Sequence, residues 1–208
     1  MRSGRVLFLA AETALYLLFI ILDLAGHASD TVFLKYTGIA LCFLAVLPTI
    51  RTTDGRLTAL ALGLTLAADW PLLILDRHYT VGIMLFCVVQ ALYLIRLMRW
   101  RGSISYPLLA VRLVPLVPLI LHASLYTLAL LYFANLMCNA LEAALFVPRS
   151  PRQRLFSIGM LLFICCDLCV GAFHLGFFTP FARYGMWLFY LPAQTLIALS
   201  SYAKGDNS

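Results

Sequence analysis

The chain has 208 residues, of which 63% are hydrophobic and only 12% are charged, and its mean hydropathy is +0.95. Soluble domains have about 45–50% apolar and about 25% charged residues, so the composition excludes a water-soluble globular protein. It predicts an all-α, polytopic membrane protein with a single transmembrane helical domain over residues 1–208. All six cysteines lie in apolar segments, where a free cysteine behaves as a small hydrophobic residue rather than as half of a disulfide.

Apolar runs recur along the whole chain, and short polar segments separate them. A membrane-crossing helix needs about 20 mostly apolar residues. The first run, from Val6 to Gly26, is too long for a signal-peptide core and has no small-residue cleavage site after it, so we expect a retained helix. These divisions predict a bundle of about eight transmembrane helices, at 5–25, 31–50, 57–75, 79–98, 105–121, 123–147, 154–175 and 181–203.

The division between the fifth and sixth predicted helices has no charged loop to mark it. It is placed near His122, and Pro115 and Pro118 precede it closely. Proline kinks or interrupts a membrane helix, because it removes a backbone donor. We therefore expect a kinked fifth helix.

Basic residues concentrate in alternate loops. With eight helices the N-terminus, every second loop and the C-terminus share one side, and Lys and Arg accumulate on the cytoplasmic side of membrane proteins. The pattern predicts cytoplasmic termini in a multi-pass protein of the plasma membrane, and it explains the net charge of +6 without nucleic acid. The basic residues of this side are Arg2, Arg5, Arg51, Arg56, Arg96, Arg99, Arg101, Arg149, Arg152, Arg154 and Lys204.

Two aspartates lie inside the most apolar segments, Asp69 in ALALGLTLAADWPLLIL and Asp167 in LFSIGMLLFICCDLCVGAFHLGFF. A charged side chain at the bilayer centre costs on the order of 3 kcal/mol by insertion scales, so such residues usually face the bundle interior and serve a function. We predict that these two residues form the functional centre. The alternative is a purely structural role, as a buried ion pair or as a neutral acid bonded to a neighbour.

Three further polar residues, Lys35, Gln90 and Gln194, are predicted at a similar depth from the helical rise of about 1.5 Å per residue. Lys35 would either pair with one of the aspartates or extend to the headgroups, and the glutamines would either line a cavity or bond neighbouring helices. The order Asp then Gln recurs in helices three–four and seven–eight, which predicts two four-helix repeats unless the match is chance. Aromatic residues expected around this layer are Trp70, Tyr93, Trp187 and Tyr190.

A second polar set lies in the cytoplasmic half, with Glu12 in the first helix and Asn135, Asn139 and Glu142 on one face of the sixth. We interpret this set as an inward-facing packing stripe. In a transporter it would be the inner part of a pathway.

The segment ADWPLLILDRHYTVGIMLFCVVQALYL (68–94) resembles a signature of the YhhN, or lysoplasmalogenase, family. A second signature of that family is similar to CDLCVGAFHLGFF and WLFYLPAQTLIALS. Two positions depart from the pattern: Gln90 replaces the usual His, and Tyr36 replaces the Pro that usually follows the helix-two Lys, here Lys35. The matching residues are Asp69, Gly82, Phe86 and Tyr93 in the first signature, and Asp167, Tyr190, Ala193 and Gln194 in the second.

The resemblance implies hydrolysis of the vinyl ether bond of a lysoplasmalogen, which yields a fatty aldehyde and a glycerophospho-base. It implies a lysophospholipid-like membrane lipid as the partner and no metal, cofactor or nucleic acid. Asp69 and Asp167 would be the catalytic acid/base pair, and Lys35 would engage the headgroup phosphate. Gln90, Tyr93, Tyr190 and Gln194 would orient substrate or water. A non-enzymatic transporter or lipid-binding protein, or a structural membrane subunit, is the alternative that the residues leave open.

Overall fold

The computed structural model of the chain describes residues 2–27, 30–146 and 150–202. Over these residues the regular structure is entirely helical. A 3-10 turn, Leu47–Thr49, extends the second helix, and a π-helix, Trp70–Ile74, extends the third. The α-helices are α1 (Arg2–Leu24), α2 (Val32–Val46), α3 (Thr53–Asp69), α4 (Tyr79–Arg101), α5 (Tyr106–Leu113), α6 (Leu116–Leu121), α7 (Leu125–Phe146), α8 (Pro151–His174) and α9 (Thr179–Ser200).

The predicted all-α membrane bundle is confirmed. In the described ranges, six helices are long and apolar enough to cross a membrane: α1, α2 with its 3-10 turn, α3 with its π-helix, α4, α7 and α8. The expected single helix over 105–121 is corrected, since α5 ends at Leu113 and α6 begins at Leu116. Pro115 lies at this break and lacks the amide hydrogen that would continue the helix. With α5 and α6 taken as one interrupted helix, the described ranges contain eight helical segments of the bundle.

Two helices begin a turn earlier than predicted because their first turns are capped. The Thr52 hydroxyl accepts a hydrogen bond from the Gly55 amide at 2.9 Å, so α3 begins at Thr53 rather than at 57. Ser150 and Gln153 form a reciprocal capping box, so α8 begins at Pro151 rather than at 154. The predicted ends at 147 and 203 lie outside the described residues.

Ion pairs fix which helix ends lie together. Asp54, at the start of α3, binds Arg96 near the end of α4 through both carboxylate oxygens, at 2.9 and 2.8 Å. Arg152, at the start of α8, pairs with the same carboxylate. Glu142 near the end of α7 accepts hydrogen bonds from Arg101 of α4 at 3.3 Å and Arg112 of α5 at 3.0 Å. We call this side of the bundle the arginine-rich end.

Helices α8 and α9 pack closely because small residues lie between them. A Cβ atom at Gly159 of α8 would lie 3.0 Å from the Ala193 carbonyl oxygen of α9, and one at Gly185 of α9 would lie 2.6 Å from the Cys169 sulfur of α8. Small residues at helix contacts allow such close backbone approach within a membrane. α9 also contacts α1, α2 and α3, so this pair connects the two halves of the bundle.

The hairpins α3–α4 and α8–α9 share local features. Each first helix follows a hydroxyl N-cap, and its aspartate is the seventeenth helical residue, at Asp69 and at Asp167. Each second helix follows a residue in the left-handed region, His78 with φ of 59° and Phe178 with φ of 48°. These matches agree with the predicted repeat over these two hairpins, and the full four-helix repeat stays a prediction.

Candidate active site

Asp69 lies where α3 changes from an α-helix to a π-helix. Its side chain is 6% exposed, and Pro71 follows two residues later. The Leu75 amide donates to the carbonyl oxygen of Trp70, five residues earlier, at 3.0 Å. Tyr36 donates to the carbonyl oxygen of Leu66 at 3.2 Å, in the turn before Asp69. Short π-helical segments inside α-helices often occur at functional sites, and here the segment places a carboxylate at the α-to-π junction.

Tyr190 of α9 holds one oxygen of Asp69. Its hydroxyl donates to Oδ2 of Asp69 at 2.6 Å, and both side chains are buried. The Tyr190 ring is fixed by edge-to-face contacts with Phe163 of α8, at 5.6 Å between centroids, and with Trp187 of α9, at 5.7 Å. A donor whose ring is held on two sides keeps its direction, so the Asp69 carboxylate is positioned by side chains from α8 and α9.

Asp167 of α8 faces the same interior. The Tyr132 hydroxyl and the Cys166 thiol lie close enough to interact with its carboxyl group, while its Oδ2 has no hydrogen-bond partner in the described ranges. Asp167 lies within electrostatic range of Asp69. The structure therefore brings together the two predicted aspartates, Asp69 buried and Asp167 partly exposed with a buried Oδ2, and we call them the aspartate pair.

Gln90 of α4 bonds to α7 rather than to the aspartates. The Asn139 amide nitrogen donates to the side-chain oxygen of Gln90 at 2.8 Å and to its backbone oxygen at 2.9 Å. Gln90 thus makes the interhelical contact that was the alternative to a cavity-lining role. Its Nε2 atom is buried and unpartnered within the described residues, so it retains donors for a further polar group.

Gln194 and Tyr93 lie on the arginine-rich side of the aspartate pair. Gln194 is one helical turn from Tyr190 along α9, is fully buried, and makes no side-chain hydrogen bond to any described residue. Tyr93 of α4 is also fully buried, and its hydroxyl neighbours that of Thr65. Thr65 is one turn from Asp69 on the same face of α3. Buried polar groups therefore extend from the aspartate pair toward the arginine-rich end.

Lys35 of α2 pairs with neither Asp69 nor Asp167 and does not extend to the surface. Its Nζ lies 2.7 Å from Oδ2 of Asp23 in α1, and both side chains are 4% exposed. The ammonium also lies 5.0 Å from the centroid of the Trp187 ring, where a cation–π attraction operates. Trp187 in turn packs on Tyr190, which bonds to Asp69. Two aromatic rings therefore lie between Lys35 and the aspartate pair. Its predicted contact with a headgroup phosphate stays a prediction.

Comparison with protein families matches residues 29–201 to the YhhN family. The chain belongs to the YhhN family. The matched region of this YhhN protein includes α2 to α9, and with them both aspartates. No curated protein and no solved structure matches the chain.

Three residues of this YhhN site were not predicted from the sequence: Tyr132, Cys166 and Asp23. Tyr132 lies in an apolar stretch of α7, and Cys166 is a residue type that is common in hydrophobic cores. Neither residue therefore stands out in the sequence. Asp23 had a usable signal, since it is a carboxylate in an apolar run. It lies near the end of that run, where charged residues commonly reach the membrane interface, whereas the structure buries it against Lys35.

Proposed function

We propose that this YhhN protein is a membrane-embedded hydrolase that cleaves the vinyl ether bond of a lysoplasmalogen-like lipid. One observation carries the proposal: two aspartates from separate helices lie within electrostatic range of each other, and the buried one is held by a tyrosine at 2.6 Å. Two carboxyl groups in different surroundings can divide into an acid and a base. Membership of the YhhN family supports this choice of substrate class.

The reaction adds one water across the ether. A carboxylic acid gives its proton to the alkene carbon that is not bonded to oxygen, and the adjacent carbon becomes an oxocarbenium ion. The carboxylate of the other aspartate stabilises this cation and accepts a proton from the attacking water. The resulting hemiacetal then breaks its bond to the glycerol oxygen, which takes up a proton. The products are a fatty aldehyde and a glycerophospho-base.

We assign the base to Asp69 and the acid to Asp167. A donated hydrogen bond stabilises a carboxylate relative to the acid. Tyr190 donates one to Asp69 at 2.6 Å, whereas Tyr132 and Cys166 lie near Asp167 without a hydrogen bond of that geometry among the described residues. Oδ2 of Asp167 has no partner among the described residues, so it is able to carry a proton and present it to the substrate. In this proposal Gln90, Tyr93 and Gln194 orient water or substrate.

The proposed orientation places the arginine-rich end in the cytoplasm and the protein in the plasma membrane. The positive-inside distribution supports this. Four arginines cluster with two carboxylates at this end: Arg96 and Arg152 with Asp54, and Arg101 and Arg112 with Glu142. Lys35 would then lie on the outer-leaflet side, where the phosphate of a lipid headgroup would have to replace Asp23 as its partner.

Aldehyde release from a lysoplasmalogen tests the proposal directly. Purified protein in detergent should release aldehyde, and Asp69→Asn and Asp167→Asn should each abolish turnover while the protein stays monodisperse. Asp76→Asn is a matched control, because Asp76 is exposed in the turn before α4. Full activity in either Asp69→Asn or Asp167→Asn would remove that residue from the mechanism, and no aldehyde from folded wild type would refute the hydrolase.

Transport or binding of a lipid or small molecule is the second candidate. It is favoured by Glu12, a carboxylate on α1 that is 4% exposed and lies outside the aspartate pair. Intramembrane carboxylates commonly mark substrate or ion pathways. This candidate predicts movement of a lysophospholipid across vesicles that depends on Glu12 and Asp69, without release of aldehyde.

A further inference from the structure

Buried polar atoms without a protein partner are concentrated in the interior of the bundle. Leaving such an atom unsatisfied costs about 1–3 kcal/mol, so buried groups of this kind are normally bonded to protein or to ordered water. Apart from three arginine nitrogens, every such atom in the described residues belongs to a polar residue of the interior. They are Glu12 Oε2, Thr65 Oγ1, Gln90 Nε2, Tyr93 OH, Asn139 Oδ1, Asp167 Oδ2 and both side-chain polar atoms of Gln194.

One group of these residues begins at Glu12. Its Oε1 lies 3.5 Å from the Cys42 sulfur of α2 and 3.5 Å from the Thr195 hydroxyl of α9. Cys42 and Thr195 are themselves 3.7 Å apart. No cation neutralises this carboxylate among the contacts of the described residues, and its second oxygen is unpartnered. Glu12 is therefore a buried carboxyl group with capacity for one or more further donors.

The group continues to Asp69 through α4 and α3. Cys42 lies within electrostatic range of Tyr93, and Tyr93 neighbours Thr65. Thr65 and Asp69 are four residues apart on one face of α3. Gln194, which is next to Thr195 in sequence and one turn from Tyr190, is fully buried and both of its side-chain polar atoms lack a partner among the described residues. We call this series from Glu12 through Cys42, Thr195, Tyr93, Thr65 and Gln194 to Asp69 the polar path.

We propose that the polar path binds a chain of water molecules that delivers the attacking water to Asp69 from the arginine-rich side. A buried water typically makes about three hydrogen bonds, and the path offers donors and acceptors from five helices. Hydrolysis inside a lipid bilayer needs a water source that does not cross the apolar surface facing lipid. The catalytic use of this water rests on the proposed hydrolase, whereas the binding of water in the path does not.

Removing one hydroxyl from the path tests its role in turnover. Thr65→Val preserves side-chain shape, leaves both aspartates in place and removes a water ligand beside Asp69. We expect kcat to fall about tenfold, the loss of about 1.4 kcal/mol, with KM for the lipid unchanged. Thr58→Val on the same helix is the matched control, because the Thr58 hydroxyl already bonds to the Asp54 carbonyl oxygen at 2.9 Å. Wild-type kcat in Thr65→Val, or an equal fall in Thr58→Val, would refute the supply of water along the path.

Silver ions test the path without any enzymatic activity. Ag⁺ is similar in size to water and reacts with a thiol to form a silver thiolate, releasing one proton. Cys42 has no exposed surface, so silver reaches it only by the route that water takes. We expect silver to protect Cys42 from later alkylation, measured by mass spectrometry after denaturation, in wild type and in Thr195→Ser.

Filling the path should slow this reaction. Thr195→Leu places an apolar side chain beside Cys42, and Thr195→Val does so more mildly if the leucine variant misfolds. Inert Cys42 in folded wild type, or unchanged protection in both filled variants, would overturn the path. Silver-protected Cys42 in a protein that releases no aldehyde would retain the path and refute the hydrolase. Turnover in a protein whose Cys42 does not react with silver would retain the hydrolase and refute the path.

Discussion

The hydrogen bond from Tyr190 to Asp69 gives the sharpest prediction. Tyr190→Phe removes a single oxygen and leaves the ring, with its contacts to Phe163 and Trp187, in place. The bond is 2.6 Å long and both partners are buried. Its loss leaves Oδ2 of Asp69 without the donor that fixes it.

The expected fall in kcat follows from the charge on the acceptor, the Asp69 carboxylate. Hydrogen bonds to charged groups contribute about 1.5–3 kcal/mol, and each 1.36 kcal/mol corresponds to a factor of ten in rate. If the carboxylate of Asp69 receives the proton of water in the transition state, Tyr190→Phe should therefore lower kcat by about 10- to 150-fold. KM should change little, because the hydroxyl binds the carboxylate rather than the lipid.

The assay is aldehyde release under steady-state conditions, with the thermal midpoint in detergent recorded for each variant. Tyr16→Phe is the matched control, since the Tyr16 hydroxyl donates at 3.0 Å to the Leu188 carbonyl oxygen, between α1 and α9. It should retain full kcat. Equal losses in the two variants would show a general effect of loosening α9, and wild-type kcat in Tyr190→Phe would exclude Asp69 as the base in the form argued above.

Two further predictions concern stability, measured as the thermal midpoint or the free energy of unfolding in detergent. Gly55→Ala should destabilise the protein by about 3 kcal/mol, because a Cβ atom there would lie 1.9 Å from the Thr49 carbonyl oxygen, whereas Gly4→Ala meets no atom within 4 Å and should be neutral. Lys35→Met should cost about 3–5 kcal/mol by leaving Asp23 buried without its cation, and adding Asp23→Asn should restore much of it. A neutral Lys35→Met would mean that the pair is hydrated.

The position of the aspartate pair was predictable from the sequence because its signal is local. A carboxylate within a long apolar run is rare in any membrane helix, so Asp69 and Asp167 are visible without a fold. Their common centre was predicted from depth alone, since both lie near the same distance along helices of the same direction. The starts of α3 and α8 were predicted too late, at 57 and 154, although Thr52 and Ser150 precede the helices as hydroxyl caps.

The side chains that contact Asp167 and Lys35 could not be predicted from the sequence, and the reason is physical. Tyr132 reaches Asp167 from another helix, and that contact depends on how α7 and α8 rotate against each other. A rotation is set by packing around the whole helix, and short sequence patterns do not encode it. The same applies to Lys35, whose choice of Asp23 over the aspartate pair depends on how α1 lies against α2.

The π-helix at Trp70–Ile74 separates the position of the Asp69 carboxylate from the direction of the turn that follows it. A π-helical turn holds more residues than an α-helical turn, and each residue of an α-helix turns the chain by about 100°. Loss of one residue between Trp70 and Ile74 would convert this stretch to ordinary α-helix and leave Asp69 facing Tyr190. It would also rotate the following turn, with Asp76 and His78, to a new direction. The direction of the turn that carries Asp76 and His78 is thus adjustable by chain length alone, while the Asp69 carboxylate stays fixed.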